Sequence, residues 1–372
     1  MENNIQILAK NIVNYSLKIK TKEKVLIEAT YDAYKLVNAL IKEIYAKNAY
    51  PFVHITDSRI SRNLIGGTSK ERSELCTKYM LPVIEDMDAY IGISGGENVY
   101  ELSDVSSKQM QIHSLYYSKP IHHDVRVTKM KWVILKYPTS SFAQLMGTST
   151  EDFEKFYYNV CNLDYQKMND AMTPLKKLME KTDKVRIVAP NTDLTFSIKG
   201  IKAIKCAGEM NIPDGEIYTA PVKDSVNGKI TYNVPTLYSG KRFDNVCLVF
   251  KDGKIIDASC SSGGNLSLNK ILDTDDGARY VGEFSFGLNP YILNPMLDIL
   301  FDEKICGSIH FTPGSCYNDA YNGNNSAVHW DMVLNQRKEA GGGEIWFDDV
   351  LIRKDGLFVL DELKALNPEN LK

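Results

Sequence analysis

The sequence predicts an α/β N-terminal domain with a parallel sheet over residues 1–182 and a mixed α+β C-terminal domain over 183–372. Three observations carry this reading. The chain has 372 residues, which at about 150 residues per domain suggests two. In the first half, short apolar runs alternate with runs of helical apolar spacing, the pattern of βαβ units. Glycine is uneven: of the 24 Gly, six precede residue 186 and eighteen follow it, so the second half is richer in turns.

The elements follow in order. Ile5 to Leu17 has helical spacing, and Lys24 to Ala29 is a buried-strand run. Tyr34 to Ala46 is again helical, and strands are expected at Pro51–Ile55, Ala89–Ile93 and Trp132–Leu135, the last closed by Tyr137-Pro138. Ser149-Thr-Glu-Asp152 opens a helix with a capping hydroxyl and acids in the first turn. One long amphipathic stretch then runs from Phe153 to Lys181, ending at the boundary near Thr182. Beyond it, strands are expected at 185–188, 194–198, 229–232, 246–250, 280–284, 308–311 and 327–333, with helices near 266–272 and 295–301.

Composition narrows the function classes. Lys plus Arg is 44 and Asp plus Glu 47, a formal charge of −3. That balance gives no support to a general nucleic-acid or membrane-surface binder. No run approaches the roughly 18 apolar residues of a spanning helix, and the polar N-terminus lacks a secretory core. The seven Cys form no CxxC pair, which suggests reduced thiols and a cytoplasmic protein.

Several motifs are absent or weak. There is no GxGxxG, no phosphate loop and no HExxH. Gly92-Ile-Ser-Gly-Gly96 matches GxSxG, but a nucleophile elbow needs a helix after the turn and a partner His; a Gly-rich turn is the better reading. Asp273-Thr-Asp-Asp-Gly277 fails calcium-loop spacing and reads as a helix-ending turn. His122-His123-Asp124 would place adjacent imidazoles on opposite faces of a strand, a surface or structural role.

The second half holds a more informative set. Only His310 and His329 lie beyond residue 186. In an extended Ser326–Val333, His329 and Asp331 fall on one face, either half of a metal site or a hydrogen-bonded pair. His310 precedes a Pro-Gly turn with Tyr317 beyond it. Glu216 and Glu283 each follow Gly in an apolar run, where burial is costly unless the carboxylate is paired or metal-bound. Glu303 reads first as a surface acid. Together these residues supply enough donors for a two-metal hydrolytic centre.

Taken with Tyr158-Asn-Val-Cys-Asn-Leu-Asp-Tyr165, Asn211–Pro221, Gly282-Glu-Phe284, Gly287-Leu-Asn-Pro290, Ile309-His-Phe311 and Asn325–Met332, the chain resembles the thermophilic-type metallo-aminopeptidases, the family of aminopeptidase T, aminopeptidase S and PepS. The resemblance covers nearly the whole length and rests on several motifs in one order. It implies a dinuclear site in the C-terminal domain, with Glu216, Glu283, His310, His329 and Asp331 as ligands and Glu303 as a further, less securely matched one. It implies two divalent ions, zinc first and cobalt or manganese as alternatives, and hydrolysis of peptides with a free N-terminus by a homodimer. Glu216 or Glu283 would move the proton, and Tyr317 would donate a hydrogen bond to the oxyanion. A metallohydrolase for another amide or a phosphoester, or a non-enzymatic metal-binding scaffold, are the rival readings. The run Gly341–Gly343 reads as an altered loop or a turn.

Overall fold

The computed structural model describes residues 2–238 and 240–372. Its contacts divide the chain into two compact units, Met1–Asn162 with Gly208–Ile212, and Leu163–Ala207 with Pro213–Lys372.

In the first unit, strands Tyr50–Thr56, Lys24–Thr30, Ala89–Ser94, Lys131–Lys136 and Asn211–Ile212 lie side by side in that order, all parallel. The alternation of short β-branched runs with helices dictates this, because parallel neighbours need a crossover between them. Val25, Ile27, Ile91 and Val133 point to one face and are fully buried. Ser94 of the GxSxG match ends its strand and is followed by a loop, without the helix that an elbow needs. His122 and His123 lie in a π-helical stretch, Ser114–Arg126, and not in a strand.

The amphipathic stretch after Ser149 is two helices. Ser149 accepts from the Asp152 N–H and opens Thr150–Cys161. Asp164 accepts from the Lys167 N–H and starts Tyr165–Met179. An Asp whose carboxylate captures a free first-turn N–H restarts the helix, and the apolar periodicity on either side hides that break.

The second unit contains two larger antiparallel sheets. One has eight strands, from Lys254–Ser259 at one edge through Thr192–Ser197 and Lys184–Ala189 to Leu357–Phe358 at the other. The other has five, in the order Val333–Asn335, Ser308–Pro313, Val281–Gly287, Glu216–Thr219 and Ile204–Cys206. Gly341–Gly343 forms a turn into strand Glu344–Phe347. The expected helix at 295–301 is only the single turn Ile299–Asp302. Ser326–Met332 is not a strand; pairing begins at Val333, with one isolated bridge from His329 to Gly314.

The five-stranded sheet has two unlike faces, because successive side chains alternate. Phe284, Phe286, Ile217, Ile309 and Phe311 share one side. There Phe284 and Phe311 each meet Phe196 of the large sheet at 5.0 Å between ring centroids. Phe286 meets Phe347 and Phe358 at 6.1 and 5.8 Å. This aromatic layer is the core of the unit, and the opposite face carries the polar residues. Among the described residues no helix is long and apolar enough to cross a membrane. Phe311→Ala removes a fully buried ring from this layer. Its expected cost is about 3–5 kcal/mol, read as a lowered denaturant midpoint at fixed metal concentration.

Candidate metal centre

The polar face of the five-stranded sheet is assembled by register. Glu283, Ser285 and Gly287 occupy alternate positions of the central strand, and their partners are Thr312, His310 and Glu216. Glu216 is in turn opposite Cys206. Alternation and pairing therefore bring two carboxylates and an imidazole from three strands onto one buried surface. His310 Nε2 lies 3.0 Å from Glu283 Oε1 and 3.4 Å from Glu216 Oε2.

His329 and Asp331 arrive from the irregular segment above this face. Asp275 pins that segment: its carboxylate accepts from Ser326 Oγ and the Ala327 N–H, both at 2.7 Å. It also accepts from the N–H groups of Gly277 and Ala278, closing its own turn. These hydrogen bonds, Ala327's foremost, hold the Asp275 carboxyl below its ordinary value. The turn at 273–277 is thus an anchor for a site residue. Gly282 supplies a second constraint. A Cβ there would stand 2.1 Å from the Ser315 carbonyl oxygen, so only glycine lets that backbone approach. The same carbonyl accepts from His329 Nδ1 at 2.8 Å. A carbonyl only accepts, so Nδ1 carries a proton and Nε2 is the atom left to face the two carboxylates.

His329 Nε2 faces Glu283 Oε2 at 3.3 Å and Asp331 Oδ1 at 3.2 Å. It is buried, and neither oxygen is aligned to complete a hydrogen bond with it. Atoms of this kind that surround a point, and do not aim at one another, fit a shared cation. Thr312 Oγ1 donates to Asp331 Oδ1 at 2.7 Å and fixes that carboxylate. Two groups of ligand atoms result, Glu216–Glu283–His310 and Glu283–His329–Asp331, each within 4.8 Å and both including Glu283.

Glu303 stands outside those groups. Its carboxylate contacts the ammonium of Lys304, which is fully buried and also lies 3.4 Å from Glu216 Oε1. Burial pushes the Glu303 carboxyl up to about 8, with Lys304 opposing. Tyr317 is half exposed, its ring 4.8 Å from that of His329 and 5.4 Å from that of Tyr218. Burial, then the Glu283 and Asp331 charges, hold its phenol protonated far above the ordinary range, so it stands as a donor.

Sequence reasoning missed Lys304, Cys206 and Asp214. Cys206, Asp214 and Glu216 form a third cluster of donor atoms, but burial holds the Cys206 thiol well above its ordinary value and therefore protonated. Nothing local in Phe301-Asp-Glu-Lys304 marks Lys304 for burial. The only signal for Asp214 was its place two residues before Glu216, an offset that a turn brings to one side.

The chain is similar to known proteins of one family. The thermophilic metalloprotease (M29) family matches residues 1–358. Aminopeptidase 2 of Geobacillus stearothermophilus is 27% identical, over 60% of this chain and 62% of that protein's length. Aminopeptidase PepS of Streptococcus thermophilus is 23% identical over 89% of this chain and 92% of its own. The solved structure of wild-type AmpT from Thermus thermophilus shares the fold, with a TM-score of 0.81 at 19% identity over 96% of this chain and 99% of that one.

The electrostatics generate a prediction. Burial opposes charge on both imidazoles, yet Glu283 lifts His310 to about 10, and Asp331 with Glu283 lifts His329 to about 12. Raised native values mean that their contribution to metal-free stability is whole below about pH 6.5. It fades as pH rises through about 10 and then about 12. Metal needs neutral imidazoles, so titrating the metal-free protein with zinc at pH 7 releases protons, and affinity climbs with pH. Calorimetry in two buffers of different ionisation enthalpy checks this; binding without proton release would contradict it.

Proposed function

This chain belongs to the thermophilic metalloprotease (M29) family, and from that premise we propose that it is a metal-dependent aminopeptidase holding two divalent ions, zinc foremost, in its second unit. The observation that carries the number two is the sharing of Glu283 between two ligand groups. Charge supports it. Glu216, Glu283 and Asp331 bring three carboxylates to one site, and divalent cations would offset that crowding. Glu216, Glu283 and His310 would hold one ion; Glu283, His329 and Asp331 the other.

The chemistry such ions supply when bound is Lewis-acid activation of water and polarisation of the peptide carbonyl. The chain's own residues do the rest. The Ser315 carbonyl and Thr312 hydroxyl orient His329 and Asp331, as groups behind a metal ligand do. Glu283, shared by the two ligand groups, and Glu216 would be engaged by the ions they hold. Glu303, whose carboxyl titrates at about 8, is the group suited to take and return a proton near neutral pH. Tyr317 donates to the oxyanion that develops as the carbonyl is attacked. Peptides with a free N-terminus are the substrates, and the homodimer and cytoplasmic location belong to the same proposal. The latter is supported by seven free thiols.

Leu-p-nitroanilide and leucyl peptides are expected to be cleaved, N-acetylated peptides to be refused, and chelation to abolish activity reversibly. His329→Ala and Glu283→Gln remove activity and reduce bound metal; either variant active with full metal content would sink the assignment. Tyr317→Phe lowers kcat about 100-fold or more with little change in KM. Hydrolysis of blocked peptides at the same rate would favour a different amidase.

A further inference from the structure

The parallel sheet of the first unit carries an anomaly on one face. A sheet covered on both sides is apolar on both, and the face bearing Val25, Ile27 and Ile91 obeys this. On the other, Leu26 and Tyr90 join a buried cluster with Ile84, Ile121 and Val125, but the row continues into Glu28 with His54 beside it in register. Glu28 is held by His54 Nδ1 at 3.2 Å and by the Tyr90 hydroxyl, which donates at 3.3 Å. Tyr90 reaches it because residue 92 is glycine: a Cβ there would stand 2.8 Å from the Tyr90 ring.

This polar floor lies under a cavity of about 400 Å³, walled by helices Ser58–Gly66 and Lys70–Glu85 and by the stretch Ser114–Arg126. That size takes one small organic molecule. Its wall carries a cation, Arg72, with little to hold it. Arg72 makes one long hydrogen bond, 3.5 Å to Thr68 Oγ1, and no ion pair among the described residues. His113 stacks on Tyr117 at 5.0 Å, and His122 meets Tyr117 edge-on at 6.5 Å. Neither imidazole makes a hydrogen bond among the described residues. Both acids are already engaged, Glu28 as above and Asp57 by the Arg59 guanidinium at 2.7 and 3.0 Å. The remaining wall includes Ile60, Leu64 and Met80. A ligand must therefore bring acceptor oxygens and an apolar body.

We propose that this cavity is a second binding site, for a small carboxylate with a branched apolar body of the leucine type, its carboxylate on Arg72 and its body against Leu64 and Met80. The inference stands on the first unit alone and does not depend on the reaction assigned to the second. Calorimetry on the metal-loaded protein tests it with N-acetyl-L-leucine, 4-methylpentanoate, leucine and N-acetyl-L-leucinamide. All but leucine lack the free amine that an aminopeptidase site requires. The first two are expected to saturate one site per chain, while N-acetyl-L-leucinamide, which lacks the carboxylate, does not compete. Leucine displacing them places a free amino acid among the ligands; its failure to do so restricts the class to amine-free carboxylates. Arg72→Met removes a charged hydrogen bond and weakens binding about tenfold or more, leaving peptide hydrolysis unchanged. Leu64→Trp, which fills the cavity from a half-exposed helix position, has the same effect should Arg72→Met fail to fold. Competition by N-acetyl-L-leucinamide, no binding in the millimolar range, binding unchanged in both variants, or binding abolished by Glu283→Gln would each overturn the proposal.

Discussion

Crowding of carboxylates on one buried sheet face is the constraint on which the second unit depends. Glu216 and Glu283 are almost fully buried, and Asp331 lies beside them. Like charges this close in a dry environment cannot all remain ionised without cations among them. In the metal-free chain those cations are Lys304 and two imidazolium groups. On the proposed function, ions would replace the two imidazolium protons, which the neighbouring carboxylates hold tightly, as the raised His310 and His329 values express.

The scaffold tolerates this because the opposite face is so strongly apolar. Phe284, Phe286 and Phe311 pack against rings from the larger sheet. Their burial stabilises the strands whose other face carries the unfavourable acids. One strand, Val281–Gly287, does both at once, alternating aromatic anchors with Glu283 and Ser285. Ligand precision then comes from less regular parts: the Asp275 turn that clasps Ser326 and Ala327, and the close approach of Ser315 at Gly282.

The first unit repeats the same physics at lower stakes. A carboxylate on an otherwise apolar sheet face persists because His54 and Tyr90 hold it, and the donors left over face a cavity and not a core. In both units the polar residues that break an apolar pattern mark the places where chemistry is expected.

The sequence by itself determined the strand–helix alternation of the first half and the chemical identity of the donors. Glu216, Glu283 and His310 were legible because each sits in an apolar run where a charge demands a reason. The apolar runs also located about half of the strands to within a few residues, since local periodicity decides burial, and missed others such as Lys254–Ser259, Glu344–Phe347 and Val350–Lys354. Only the tertiary structure decided who faces whom. Register placed His310 opposite Ser285 and Glu216 opposite Gly287, pairings between segments far apart in the chain that no local pattern encodes. Periodicity also misread Ser326–Met332 as a strand: what holds His329 and Asp331 is a set of hydrogen bonds to Asp275, Ser315 and Thr312. Lys304 carried no local signal for the same reason, because its burial comes from strands distant in sequence and from the acids they bring to it.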